Sequence, residues 1–195
     1  MTESGEGDRA ARWKAVVEEH VRFENAHDLE GIMSTFGEGA FYDDAPWNDR
    51  RAGEDGVRAY YGELIQAAPD LHIHVERTHI GKEALVLEVR ITGTHLGSWR
   101  GLPGTGKRLD FPLCGIFTFD ANDRLEGERI YYDRATVLRQ LGVFFEPTTS
   151  AGKLLTPLCH PLTMLGAIGR SLGRKRGPPP PGREGRGPSA DARGG

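Results

Sequence analysis

Cysteine is scarce: the 195-residue chain has two, Cys114 and Cys159. One lies in a strand-like run and the other far downstream, so they do not make the dense disulfide framework of a small secreted domain. A reducing compartment is expected, and the cytoplasm with it. Long apolar runs are also missing, so no segment reads as a membrane span. The opening MTESGEGDRAAR is polar, without the apolar stretch a secretory signal carries. No Ser-His-Asp or Cys-His grouping with a nucleophile's context is present. Cys114 sits among apolar strand residues, where an inert thiol is the ordinary case.

Charge is modest, at -3 overall, but unevenly placed. From Arg170 onward seven basic residues face two acidic ones, a local +5, which leaves -8 on the rest. An acidic body has the wrong sign for a nucleic-acid surface, so no nucleic-acid partner is expected. Hydrophobic residues make up 37%, which suits one globular core of a soluble protein.

GLPGTGKR, Gly101–Arg108, nearly spells a phosphate-binding loop. Such a loop needs a following helix, whose N-terminus holds phosphate, and a final hydroxyl for magnesium. Here Arg108 stands at the hydroxyl position, and Leu109, Phe111 and Leu113 alternate like a strand. The stretch reads as a β-hairpin loop whose glycines permit tight turns, and neither nucleotide nor metal is expected.

Periodicity divides the chain. Arg9–Ala26 repeats Trp13, Val16, Val17, His20, Val21 and Glu24 at three- and four-residue steps, predicting a helix after a frayed start. A second short helix follows Asp28 as N-cap. AFYDDAPW is a short strand, and GEDGVRAYYGELIQAAPD is a third helix ending near Pro69. Thereafter the period is two. Leu71, Ile73 and Val75 alternate with polar neighbours, as do Leu85 to Ile91 and Leu109 to Phe119. DANDR turns the chain into a last strand, LEGERIYYD, and RATVLRQLG closes as a short helix ended by Gly142. The pattern is α+β: three N-terminal helices packed on one curved antiparallel sheet, a cone-shaped half-open barrel with a pocket between the layers. Residues 8–145 form this domain. Residues 146–176 carry a leucine stripe and read as a helical extension. Residues 177–195, rich in Pro, Gly and Arg, read as disordered. The stripe is expected to pack on protein; contact with a membrane surface is the less favoured alternative, since the stripe holds no Trp or Phe and is broken by Pro157 and Pro161.

Two stretches together, THLGSWRGLPGTGKRLDF and RLEGERIYYDRATVLRQLG, resemble the SnoaL-like polyketide cyclase family of the nuclear-transport-factor-2-like superfamily. The positions that carry it are His95, Gly97, Trp99, Gly101, Pro103, Thr105, Gly106 and Lys107, then Glu128, Asp133, Gln140, Leu141 and Gly142. AHDLEGIMSTF looks like the family's second-helix entry, and the resemblance runs from about Val16 to Val143. It implies a cofactor-free, aldol-type cyclisation of a small carbonyl compound. A carboxylate takes a proton beside a carbonyl, an enolate forms, and a ring closes. A homodimer is expected by analogy with cone folds.

The resemblance makes Asp133 the acid/base. Read from the residues alone, Asp133 is equally an N-cap for the closing helix, and a cap's carboxyl is too acidic for a base. His95 shares phase with Leu85 to Ile91, so it faces either the enolate oxygen or an ordinary core. Trp99, Tyr131 and Tyr42 are candidate flat walls for substrate, or plain core. Arg129 shares a face with Tyr131 and Asp133. A water-activating hydrolase or dehydratase would need Arg129 or Arg90 to point inward with a second carboxylate. A non-catalytic ligand-binding cone is the other alternative. Asn25 and His27 are turn or cap residues that could reach the pocket mouth. His72 and His74 share a strand face but lack a third metal ligand. Asp43 and Asp44, adjacent on a strand, point to opposite faces.

Overall fold

The computed structural model describes residues 3–174, with side chains for residues 7–171; the 177–195 tail lies outside the described residues. The chain divides into two compact units at Phe145/Glu146.

In the first unit, α1 (Glu3–Asn25) and α2 (Leu29–Thr35) precede β1 (Phe36–Asp44). A 3-10 turn, Ala45–Trp47, and β2 (Asp49–Ala52) lead to α3 (Gly53–Ala67). Then come β3 (His72–Ile80), β4 (Ala84–Thr94), β5 (Arg108–Phe119), β6 (Leu125–Tyr131) and α4 (Arg134–Gln140). The six strands form one curved, unclosed sheet in the order β2-β1-β6-β5-β4-β3. It is an α+β cone, as the change of period implied. Three details differ. Helix α1 is regular from Glu3 rather than frayed to residue 8. The short strand β2 was not anticipated. And β1 runs parallel to β6, so the sheet is mixed rather than purely antiparallel.

The core lies between α1–α3 and the concave face of the sheet. Leu85, Leu87, Val89 and Ile91 of β4, Phe117 of β5 and Ile130 of β6 pack there against Val17, Val21, Ile32, Val57 and Tyr61. Trp13 fastens α1 to the far hairpin. It stacks on Phe119 at 4.3 Å, and its indole N–H donates to Asp123 at 2.8 Å. Truncating a buried Trp of this kind costs about 3–5 kcal/mol. Asn25 clasps edge strand β3, accepting from Ile73 N–H at 2.7 Å and donating to Ile73 C=O at 3.0 Å. His27 donates to Leu71 C=O at 2.9 Å, so both residues tie helix to strand and cover backbone groups an edge would leave bare. Gln140 does the same for β5, exchanging two hydrogen bonds with the Asp110 backbone.

The glycine stretch is a hairpin loop between β4 and β5. Trp99 and Leu102 exchange backbone hydrogen bonds at 2.9 Å, with Arg100 (φ 54°) and Gly101 (φ 77°) at the turn. Positive φ at both central positions is the hairpin-turn geometry. Beside it, Gly97 approaches α3 so closely that a Cβ would meet Gln66 O at 2.1 Å. The loop is thereby pinned to the end of α3 by Leu96 and Gly97 N–H groups donating to Ala67 C=O.

In the second unit, α5 (Ser150–Cys159) is capped by Thr149, and α6 (Pro161–Arg174) follows directly.

Candidate functional site

A cavity opens between α1, α3, α4 and the concave sheet face, with about 90 Å³ of room for the centres of water-sized molecules. Its walls are apolar: Val21, Leu87, Val89, Ile91, Phe111, Ile130, Val137 and Leu141 among them. A few polar side chains interrupt that lining, chiefly Glu24, Glu128, His95, Tyr42, Tyr60 and Tyr132. A mostly apolar cavity with few polar groups is the usual form of a small-molecule site.

One polar group is built on α1. His20 and Glu24 are four residues apart and share the buried helix face, at 0% and 8% exposure. Glu128 reaches the same point from β6, Tyr61 from α3 and Thr35 from the end of α2. His20 Nε2 lies 3.8 Å from Glu24 and 3.5 Å from Glu128. The hydrogen-bond directions define the imidazole. Thr35 donates its hydroxyl proton to Ile32 C=O at 2.7 Å, so it accepts from His20 Nδ1 at 2.8 Å. Tyr61 donates to Glu128 Oε2 at 2.6 Å, so its lone pair faces His20 Nε2 at 3.0 Å. Both ring nitrogens are then donors, which the imidazolium alone provides. Burial by itself would push His20 down, but Glu24 and then Glu128 outweigh it and the net shift is upward. Glu24 goes up as well, to about 8, because burial disfavours its charge; His20 eases this and Glu128 adds to it. The cluster thus sets an imidazolium against two buried carboxyls, of which Glu24 holds its proton near neutrality.

These three residues are also the metal-ligand grouping among the described residues, their donor atoms within 4.8 Å of one another. A metal would need the Nε2 lone pair, where the Tyr61 hydroxyl already sits. His72 and His74, the metal candidates read from the sequence, are exposed on edge strand β3 with rings 4.5 Å apart, and no third ligand among the described residues joins them.

His95 supplies a second polar point. The β4–β5 register runs unbroken through Gly93, so His95 keeps the inward phase of Leu85 to Ile91 and is 1% exposed. Its Nδ1 accepts from Thr105 N–H at 3.3 Å and lies 3.1 Å from the Thr105 hydroxyl. Burial lowers its pKa, so the ring is neutral and its proton is on Nε2. That buried Nε2 has no partner among the described residues, and His95 lines the cavity.

A third group lies at the end of β1. Asp44 is fully buried and accepts from Tyr60 OH at 3.0 Å and Arg100 Nη2 at 2.7 Å; Tyr132 OH is 3.5 Å away. Burial raises Asp44, with Arg100 the largest opposing influence. Arg100 also pairs with Asp49 and is flanked by Trp47 and Trp99. Asp43, its chain neighbour, points the other way and pairs with Arg129.

The other site candidates separate. Tyr42 is buried and lines the cavity, stacked on Tyr60 at 4.0 Å, and Trp99 lines it too. Tyr131 and Arg129 are on the outer face of β6: Tyr131 is 46% exposed, and Arg129 donates to Asp43 at 2.8 Å. Arg90 is likewise outside, paired with Asp110 at 2.6 Å. The inward phase of β6 is Glu128 and Ile130, the opposite of Arg129 and Tyr131. Asp133 is not in the cavity lining. It caps α4, accepting from Ala135 N–H at 2.9 Å and from the Thr136 hydroxyl at 2.5 Å, with 61% of its side chain exposed. The Thr136 hydrogen bond, then the backbone N–H groups and Arg139, hold its carboxyl below the ordinary value. The sequence signal for Glu24, His20 and Glu128 was present: each is a polar residue in the buried phase of its element.

Comparison with known proteins gives the same architecture. The family model described as SnoaL-like polyketide cyclase matches residues 14–141. A structure from Jannaschia sp. CCS1, assigned as a SnoaL-like polyketide cyclase, is 19% identical, with a TM-score of 0.63 over 70% of this chain and 95% of that one. AclR from Streptomyces galilaeus, assigned as a hydroxylase, is 21% identical, with a TM-score of 0.61 over 70% of this chain and 99% of that one. A protein of ketosteroid isomerase-like fold from Catenulispora acidiphila DSM 44928 is 13% identical, with a TM-score of 0.56 over 66% of this chain and 93% of that one. At these identities the likeness shows the fold. No sequence among the curated proteins matches the chain.

Proposed function

The chain belongs to the SnoaL-like polyketide cyclase family, and from that premise we propose that it is a cofactor-independent, cyclase-like enzyme acting on a small carbonyl compound through an enolate. The observation that carries this reading is Glu24, a carboxyl on the wall of an apolar cavity whose pKa burial brings up to about 8. A base works best when its pKa lies near the operating pH, and a buried carboxyl is how a protein achieves that. An exposed cap is tuned the opposite way, so in this reading Asp133 positions α4 and Glu24 takes the acid/base role.

The reaction follows from the residues. Glu24, ionised, accepts the acidic proton from the carbon between two carbonyl groups. The electron pair left behind moves onto the adjacent carbonyl oxygen, which His95 Nε2–H stabilises as an oxyanion-type donor. The enolate carbon attacks a second carbonyl, and the alkoxide formed there takes the proton back from Glu24. Tyr61 and His20 hold Glu128 in place beside Glu24, and Glu128 is one of the influences that raise Glu24. Tyr42, Tyr60 and Trp99 offer flat surfaces for an unsaturated or aromatic substrate.

The test is proton exchange at the α-carbon of an aryl β-keto ester in deuterated water, followed by NMR. Wild type should accelerate exchange, and Glu24→Gln should not. Equal exchange by both proteins, with the fold intact, would remove Glu24 from the mechanism.

A further inference from the structure

Between Pro147 and Arg183 the sequence has no Asp or Glu and six basic residues, Lys153, Arg170, Arg174, Lys175, Arg176 and Arg183. Within that acid-free stretch the two helices of the second unit carry exposed apolar side chains. Leu154 and Leu158 are four apart on α5, at 76% and 75% exposure. Leu162, Leu165 and Ile168 follow at three-residue steps on α6, at 84%, 66% and 52%. At about 100° per residue, Arg170 lies roughly 140° around α6 from the middle of the Leu162, Leu165 and Ile168 stripe. Pro157 and Pro161 keep the two helices short, and no helix among the described residues is long and apolar enough to cross a membrane.

Five exposed aliphatic side chains in one segment are a patch that water disfavours. Their charge setting says what covers them. An apolar protein partner has no use for six positive charges with no acidic residue between them. An interface of acyl chains and anionic headgroups uses both features, the leucines entering the acyl boundary and the cations meeting the headgroups. The acidic remainder of the chain would be repelled by such a surface, which confines contact to this segment.

We propose that α5 and α6 form an interfacial anchor that lies on an anionic lipid surface, with Leu154, Leu158, Leu162, Leu165 and Ile168 inserted. The reaction proposed above is independent of it.

The experiment is co-sedimentation of the full chain with vesicles, either pure phosphatidylcholine or equimolar phosphatidylcholine and phosphatidylglycerol. Binding to the anionic vesicles should be at least about tenfold stronger, and should weaken as salt is added. Leu162→Glu with Leu165→Glu should cost about tenfold or more in binding, with the circular dichroism of the cone unchanged. Arg170→Glu with Lys175→Glu should remove the preference for anionic lipid. Failure to sediment with either vesicle overturns the proposal, as does equal binding to both. It is also overturned if the stripe holds two copies together, seen as a dimer in gel filtration that the leucine variants dissociate.

Discussion

Glu24 and Asp133 are both carboxyls at helix ends in the same small domain, and their surroundings tune them in opposite directions. Glu24, in the last turn of α1, is buried beside a second carboxylate and holds its proton to about 8. Asp133, at the first turn of α4, is exposed, collects hydrogen bonds and is held low. The difference comes from phase. Glu24 lies on the buried face of its helix, whereas Asp133 follows the outward residues Arg129 and Tyr131. The carboxylate made prominent by its motif is thus exposed and held low, while the raised one lies on the cavity wall beside His20 and Glu128.

The contrast can be broken most severely at the cavity. Glu24→Gln keeps the shape and removes the titrating group, and should lower α-proton exchange by about 10²–10⁴-fold. In wild type kcat/KM should rise with pH through about 8, and that limb should vanish in the variant. His95→Ala removes an unpartnered donor rather than a base. It should cost roughly 10²-fold in kcat, with the pH limb still in place. Stability sharpens the comparison further. Glu24 has a folded pKa raised above its ordinary 4.5, so its contribution is full below pH 4.5 and is lost as pH rises to about 8. His20, also raised, loses its contribution in the same direction. The melting temperature should therefore fall from pH 5 to 8, by an amount on the order of a few kcal/mol of stability, and Glu24→Gln should flatten the slope. At Asp133 the sign is reversed: its carboxyl is depressed, so its contribution is lost only as the solution is acidified. Asp133→Ala should lower the melting temperature slightly by removing the cap, and leave exchange at the wild-type rate. Arg129→Ala, on the outer face of β6, should change neither by a measurable amount.

Much of the fold was readable because it is written in periods. The step from three-and-four spacing to alternation marks where α1–α3 give way to the meander, and the phase of Leu85 to Ile91 carried through to place His95 correctly. Pairing is not periodic, which is why the parallel β1–β6 contact was missed; β2, four mostly polar residues at a sheet edge, has no apolar alternation to reveal it. Tyr42, Trp99 and His95, named from the sequence by residue type and, for His95, by phase, do line the cavity. His20 and Glu24 were visible in the helical repeat but counted only as marks of its period. A polar residue in an apolar phase has to be satisfied by something distant, and here that is Tyr61, Thr35 and Glu128, which no local pattern brings together. Arg129 and Tyr131 were correctly placed on one face, but it is the outer face, because the inward set begins one residue earlier at Glu128, and Asp133 lies past the strand's end as the cap of α4.

The central claim is that the cavity carboxyl, not the cap, is poised near neutrality. Carboxyl-carbon NMR titration of Glu24 and Asp133 in the folded protein, each assigned by its amide variant, tests it directly. The account predicts about 8 for Glu24 and a value below the ordinary aspartate range for Asp133. An ordinary carboxylate value at Glu24, or a raised one at Asp133, would contradict it.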